Sequence, residues 1–383
     1  MKSQKLAAPE RKVPPLRVYF SKEDRLEILK RIDDSLATGQ VVMGKNVAEL
    51  EREFAAYCGV KHAVAVSSGS SALEIVLRAM GCQGKDVLVP TNTFFATASS
   101  VLFAGGKPVL VDVNPGTFTL DLKTIQKRLT KKTAAVMIVH IGGIVSPEIE
   151  AIRAWCDAKG LWLIEDAAHA HGSDFRGKKA GGFGQAGCYS FFSTKVMTSG
   201  EGGMVVTGDD KTADMVRLLR NHGKPQPWTS FHTHLGSNWR MTEFSAAVGL
   251  TQLRNLDKFI AWREKTAAFY TKALAGVPEL TPVLPQGRSS WYKYIVLLDR
   301  KIDRAKLKSW MKERGVGLSG EVYETPLHEQ PVFAGARLGS FPVADDVCRR
   351  HICLPLYYGM TRREAAYVAE NLKKGIRQKE VLP

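Results

Sequence analysis

A lysine and an aspartate carry the most chemistry in this chain. Lys195 follows the aromatic run Cys188-Tyr189-Ser190-Phe191-Phe192-Ser193-Thr194 and precedes the tight turn Thr198-Ser199-Gly200-Glu201-Gly202-Gly203. A lysine brought by a strand-like run onto a glycine-rich turn, where regular structure stops, is rarely buried without a partner or a task. Held out of water, it loses its proton and becomes a nucleophile that forms a Schiff base with a carbonyl. The alternative is a lysine whose stem lies on apolar surface with its ammonium in water.

The run Leu161-Trp162-Leu163-Ile164-Glu165-Asp166 reads as a buried parallel strand ending in carboxylates. Ligands of α/β sheets gather at the carboxyl ends of strands, where Asp166 falls. An acid there serves as a helix cap or ion-pair partner, or pairs with a protonated ring nitrogen. Together with Lys195, the third role is favoured. Pyridoxal 5'-phosphate (PLP) requires such a partner, because its protonated pyridine is an electron sink. A third segment, Val64 to Leu77, passes from a β-branched strand through Ser67-Ser68-Gly69-Ser70-Ser71 into an amphipathic helix. Free N–H groups at a helix start bind phosphate, and Ser70 and Ser71 add hydroxyl donors. The competing reading is plain helix capping.

These segments, in this order, resemble the DegT–StrS type of PLP-dependent sugar aminotransferases, within the fold type I aminotransferases. The resemblance also takes in Gly44, Pro90-Thr91-Asn92-Thr93-Phe94, Arg220-Asn221-His222-Gly223 and Gly236-Ser237-Asn238-Trp239-Arg240-Met241. It is strongest from about residue 40 to 265 and continues to about 375. It implies that Lys195 forms the imine with PLP and that Asp166 pairs with the pyridinium. It further implies that Phe94 stacks on one ring face with Ala168 against the other, and that Ser190, Ser70 and Ser71 hold the phosphate. Asn238 would reach the phosphate in the neighbouring subunit, making a homodimer with shared active sites. His169 stands where many members carry glutamine near the ring oxygen, and Ser70 replaces a commoner threonine. Related dehydratases have histidine in place of the lysine, so Lys195 speaks against that branch.

The resemblance implies a ping-pong transamination from L-glutamate or glutamine to the keto group of a nucleotide-linked deoxysugar. The alternatives are transamination of a keto-inositol or aminocyclitol, and a non-catalytic PLP-binding sensor. Acceptor choice is expected to depend on the Gly39 to Gly44 and Tyr323 to Gln330 loops. Other patterns are set aside. Gly182-Phe183-Gly184-Gln185-Ala186-Gly187 fits a dinucleotide fingerprint as a string but precedes a strand rather than a helix. His169 and His171, like His232 and His234, alternate without a cysteine or carboxylate to complete a ligand set, so no metal is expected.

The 383 residues are 44% hydrophobic with mixed charge, as in a globular protein. No stretch approaches the roughly 18–20 apolar residues of a membrane span. The N-terminal residues Lys2, Lys5, Pro9, Arg11, Lys12, Pro14 and Pro15 lack a signal-peptide core, so a cytoplasmic location is expected. Six cysteines (Cys58, Cys82, Cys156, Cys188, Cys348 and Cys353) show no framework spacing and read as reduced, buried residues. The net charge of +16 comes from basic residues scattered through the chain. That favours a solvated surface attractive to anionic substrates over a nucleic-acid site.

Positioning these residues requires a mostly parallel sheet. Apolar strands read at 63–67, 86–89, 108–111, 134–139, 161–165, 187–192 and 203–207, separated by helices or long loops. From Thr242 to about Leu274 a long helix spans two lobes and ends at Gly276-Val277-Pro278. After it, Tyr294 to Leu298 and two helical segments build a smaller α+β lobe. The expected division is a large PLP-binding α/β domain over 1–255 and a linking helix with a small C-terminal α+β domain over 256–383.

Overall fold

Strand-to-helix alternation arranges the chain around a central sheet that collects strand ends on one side. The computed structural model describes residues 12–226, 228–318, 320–333 and 339–382. Lys2, Lys5, Pro9 and Arg11 lie outside the described residues. In chain order the elements are α1 (Lys22–Thr38), α2 (Lys45–Cys58), β1 (His62–Val66), α3 (Gly69–Ala79), β2 (Asp86–Pro90), α4 (Phe95–Phe103) and β3 (Lys107–Val111). Then come α5 (Leu122–Lys127), β4 (Thr133–Val139), α6 (Ile149–Ala158), β5 (Trp162–Asp166), β6 (Asp174–Phe175), β7 (Lys178–Lys179), β8 (Ala186–Ser190) and β9 (Gly203–Thr207). The rest is α7 (Asp210–Arg220), α8 (Glu243–Leu274), β10 (Leu280–Pro282), β11 (Tyr294–Leu298), α9 (Arg304–Glu313), α10 (Pro342–Arg350), β12 (His351–Leu354) and α11 (Arg362–Gly375).

The large sheet has seven strands in the order β1-β9-β8-β5-β4-β2-β3. Only β9 runs against the others, pairing antiparallel with both β1 and β8. Strands β2, β4 and β5 are buried almost throughout, as expected for parallel strands covered on both faces, whereas the edge strand β3 is buried only at Leu110 and Val111. Sequence reading extends the strand before Lys195 to residue 192. The observed β8 stops at Ser190, because Phe192 and Gly200 form an isolated bridge that closes the turn around the lysine.

A second sheet, β10-β11-β12, is antiparallel, and among the described residues three α-helices, α9, α10 and α11, follow β11, where two were expected. Two apolar clusters result. One is centred on the large sheet, and the other gathers β11, β12, α9 and α11. Helix α8 contributes Leu250, Leu256 and Ile260 to the first and Ala267, Tyr270 and Leu274 to the second. Its buried Glu243 also accepts from the backbone N–H groups of Gly44, Asn46 and Val47 at 2.7–3.1 Å. Gly44 has no side chain to cap α2, so Glu243 of α8 caps it from 199 residues away in sequence. Among the described residues no helix is long and apolar enough to cross a membrane.

Candidate active site

The carboxyl edge of the large sheet opens into a cavity of about 320 Å³. Side chains alternate faces along a strand, so the adjacent acids Glu165 and Asp166 part company at the end of β5. Glu165 turns away from the cavity. It accepts from Gly181 N–H at 2.7 Å and Gly184 N–H at 2.5 Å and meets His140 Nε2 at 2.8 Å, with the Glu165 and His140 side chains fully buried. The fingerprint-like glycine string therefore wraps a buried carboxylate in the loop between β7 and β8 and opens no helix.

Asp166 lines the cavity and is 5% exposed. Its Oδ2 accepts from Thr97 Oγ1 at 2.9 Å, and its Oδ1 accepts from Ala168 N–H at 3.2 Å. Among the described residues it makes no ion pair within 4 Å. Burial pushes its carboxyl pKa up, against the Thr97 and Ala168 hydrogen bonds and the Lys195 charge. A cationic N–H placed beside it would remove that penalty.

Lys195 sits on the loop after β8, its N–H bonded to Phe192 O at 3.0 Å. Phe191 O accepts from Ser199 N–H at 2.9 Å and from Thr198 Oγ1 at 2.9 Å, and Phe191 N–H reaches Gly202 O at 2.8 Å. This ties the loop at both ends. Lys195 Nζ lies 4.9 Å from the ring centroid of Tyr292. Its residue surface is only partly covered, but the amine end is enclosed, and burial lowers its pKa despite Tyr292 and Asp166 nearby. Lys293 Nζ also lies 5.0 Å from the centroid of the Tyr292 ring. Burial opposes ionisation of that phenol, but the two ammonium charges and Thr194 outweigh it and lower its pKa.

The start of α3 forms another wall. Ser68 caps the helix, with its Oγ accepting from Ser71 N–H at 3.0 Å while Ser71 Oγ accepts from Ser68 N–H at 2.9 Å. Ala72 N–H is taken by Ser68 O. The N–H groups of Gly69 and Ser70 have no acceptor among the described residues. A Cβ on Gly69 would stand 2.6 Å from Ser190 Cβ, so only glycine lets this turn close on Ser190. The result is a small cradle of donors at a helix start.

Seven of the residues singled out from the sequence line this one cavity: Ser70, Phe94, Asp166, Ala168, His169, Ser190 and Lys195. Ser71 does not, since its hydroxyl belongs to the capping box. Asn238 does not either. It lies exposed on the segment before α8, in an isolated bridge with Asn221. Thr97, Tyr292 and Tyr323 were not singled out as site residues. Thr97 follows the quoted Pro90 to Phe94 run by three residues, and Tyr292 sits two residues before the strand recognised at Tyr294.

The residues present fit PLP: an amine, a buried acid lacking a cation, free N–H donors at a helix start and an aromatic side chain at the rim. The fold points the same way. The solved structure of DesV from S. venezuelae, in complex with a ketimine intermediate, superposes with a TM-score of 0.89 at 34% identity, covering 96% of this chain and 99% of that one. The architecture and cavity are those of a PLP-dependent aminotransferase of fold type I. Over residues 22–373 the sequence matches the DegT/DnrJ/EryC1/StrS aminotransferase family, and the chain belongs to it. It is 36% identical over 354 residues to a pleiotropic regulatory protein of Geobacillus stearothermophilus, covering 90% of this chain and 93% of that protein. It is also 35% identical over 370 residues to the dTDP-3-amino-3,4,6-trideoxy-alpha-D-glucose transaminase of Streptomyces venezuelae, covering 95% and 96%.

Proposed function

We propose that this aminotransferase moves an amino group from L-glutamate or glutamine to the keto group of a nucleotide-linked deoxysugar. The observation that carries the reading is Lys195 and Asp166 facing one aromatic-walled cavity. The Streptomyces venezuelae relative, named for a dTDP-linked amino sugar, supports the acceptor class. When bound, PLP supplies the electron sink and carries the amino group between the two half-reactions.

The chain's own residues divide the remaining work. Asp166, its oxygens fixed by Ala168 and Thr97, would hold a proton on the cofactor's ring nitrogen. The Lys195 Nζ anchors the cofactor and then moves the proton at the reacting carbon of donor or acceptor. Burial prepares it for this by lowering its pKa. Ser190, Ser70 and the free N–H groups of the α3 turn hold the phosphate, with Ser71 closing the cap behind them. Phe94, Ala168 and His169 line the same cavity, where Phe94 would offer the cofactor ring an aromatic face and Ala168 would leave it room. Asn238, exposed and away from its own cavity, completes the site of a second copy in a homodimer.

We further propose that the two apolar clusters correspond to a large and a small domain, divided within α8 near residue 255, and that the protein is cytoplasmic. The relative named as a regulatory protein favours a second reading, in which the fold binds PLP as a sensor. One experiment separates them. PLP-loaded protein is given glutamate or glutamine with a panel of nucleotide-linked keto sugars and keto-inositols, and products are read by mass spectrometry. An amino sugar of the expected mass supports the first reading. A cyclitol product replaces the sugar, and no product with any acceptor favours the sensor.

A further inference from the structure

A backbone N–H only donates, and one of them fixes where the proton of His169 sits. Gly142 N–H donates to His169 Nδ1 at 3.3 Å in a fully buried contact. Nδ1 is therefore bare, and a neutral imidazole carries its hydrogen on Nε2. His169 is 5% exposed, and burial together with the Lys195 and Lys293 charges holds it neutral, well below its usual pKa. Its ring is clamped against Tyr292, with centroids 4.3 Å apart and planes at 29°. The Nε2–H meets Tyr323 Oη at 3.2 Å. In that contact His169 donates and the phenol accepts.

A phenol oxygen that accepts keeps its own O–H for another partner. Tyr323 Oη has no second partner among the described residues, and Tyr323 lines the cavity. Its backbone is held by Asn92, whose Oδ1 accepts from Tyr323 N–H at 3.0 Å. The same loop is pinned to the end of β2, where Leu327 N–H reaches Thr91 O at 2.8 Å and His328 Nδ1 meets Thr91 Oγ1 at 2.7 Å. Burial raises the Tyr323 pKa well above the ordinary value, so the phenol stays protonated at working pH.

We infer that Tyr323 is the hydrogen-bond donor to an electron-rich oxygen on an unsaturated carbon, with Gly142 and His169 fixing the direction of donation. The oxygen is either the ring oxygen of PLP or the carbonyl oxygen of the keto acceptor. His169, whose one N–H is spent on Tyr323, acts through that tyrosine as a positioning residue. The inference deepens the transaminase reading and rests on it for the acceptor.

Tyr323→Phe tests it, since the ring and its contact with Phe94 at 5.9 Å are kept. The readouts are the PLP dissociation constant, the absorbance maximum of the loaded protein, and single-turnover rates of the donor and acceptor halves. Loss of one such bond is expected to weaken the affected step about 10- to 100-fold. A slowed acceptor half with an unchanged donor half assigns the oxygen to the acceptor. Weaker PLP binding and a moved absorbance maximum assign it to the cofactor. Wild-type values in every readout overturn the inference. If the wild-type protein aminates no keto acceptor, the reading under Proposed function fails, and Tyr323 is judged on the two PLP readouts, where unchanged values overturn it. A circular dichroism spectrum and melting curve matching wild type confirm that the variant folds.

Discussion

At the residue scale, the site depends on two buried groups whose protonation the fold has moved in opposite directions. Burial disfavours charge on both, lowering the Lys195 amine and raising the Asp166 carboxyl. Lys195→Ala is expected to abolish turnover while leaving PLP bound weakly, checked by a transamination assay and by dialysis of the cofactor. Asp166→Asn should lower the rate by orders of magnitude with folding retained, because the amide cannot hold a proton on the ring nitrogen. An unfolded or fully active variant would contradict the role. Both residues were legible in the sequence because each stands where a regular pattern stops. Thr97, behind Asp166, and Tyr292 were not, since a hydroxyl on a helix and one on a distant loop carry no spacing that marks a site, and Tyr323 was legible only as the start of the loop expected to govern acceptor choice. Ser71 shows the converse: a hydroxyl in the right turn, used by the backbone as a cap.

At the element scale, the turn between β1 and α3 is set by what is missing from it. Gly69→Ala places a methyl 2.6 Å from Ser190 Cβ. Overpacking of this kind costs about 1–3 kcal/mol. The variant should bind PLP at least several-fold more weakly, by fluorescence titration, roughly a factor of ten per 1.4 kcal/mol. Strand positions agree with their sequence reading to within about two residues, because buried parallel strands are short unbroken apolar runs. The hairpin β6–β7 escaped notice, having only two residues per strand. The third small-lobe helix was also uncounted.

At the scale of the whole molecule, three buried histidines, two on the loop after β5 and one on β12, make acid stability a collective property. Burial holds His169 well below its usual pKa, His171 down to about 3 and His351 down to about 4. The unfolded chain protonates each near pH 6.5, while the folded chain does not, so the unfolded state binds more protons and stability falls as pH falls. The loss begins below about pH 6.5 and runs on toward the folded values, at about 1.4 kcal/mol per pH unit for each histidine. The raised Asp166 carboxyl works in the opposite sense and offsets part of it. Urea denaturation at pH 7 and pH 5 should show a clear drop in midpoint, and equal midpoints would contradict it. The proposed shared site gives a second check. Mixed dimers of Lys195→Ala and Asn238→Ala subunits should recover activity that neither parent has, with one intact site per mixed dimer. No recovery on exchange would argue against Asn238 acting across the interface.

The cavity draws its walls from widely separated parts of the chain, and this orders events during synthesis. Asp166 ends a strand of the sheet that is complete by Thr207 and Lys195 lies on a loop between two of its strands, whereas Tyr292 and Tyr323 arrive from beyond α8. With N-terminal units folding first at about 5–20 residues per second, the lysine and acid emerge several seconds before the second tyrosine. A nascent chain thus carries both the amine and the acid before either tyrosine wall of their cavity exists. The pocket is therefore finished from its C-terminal side, and the last wall to be synthesised is the one that carries Tyr323.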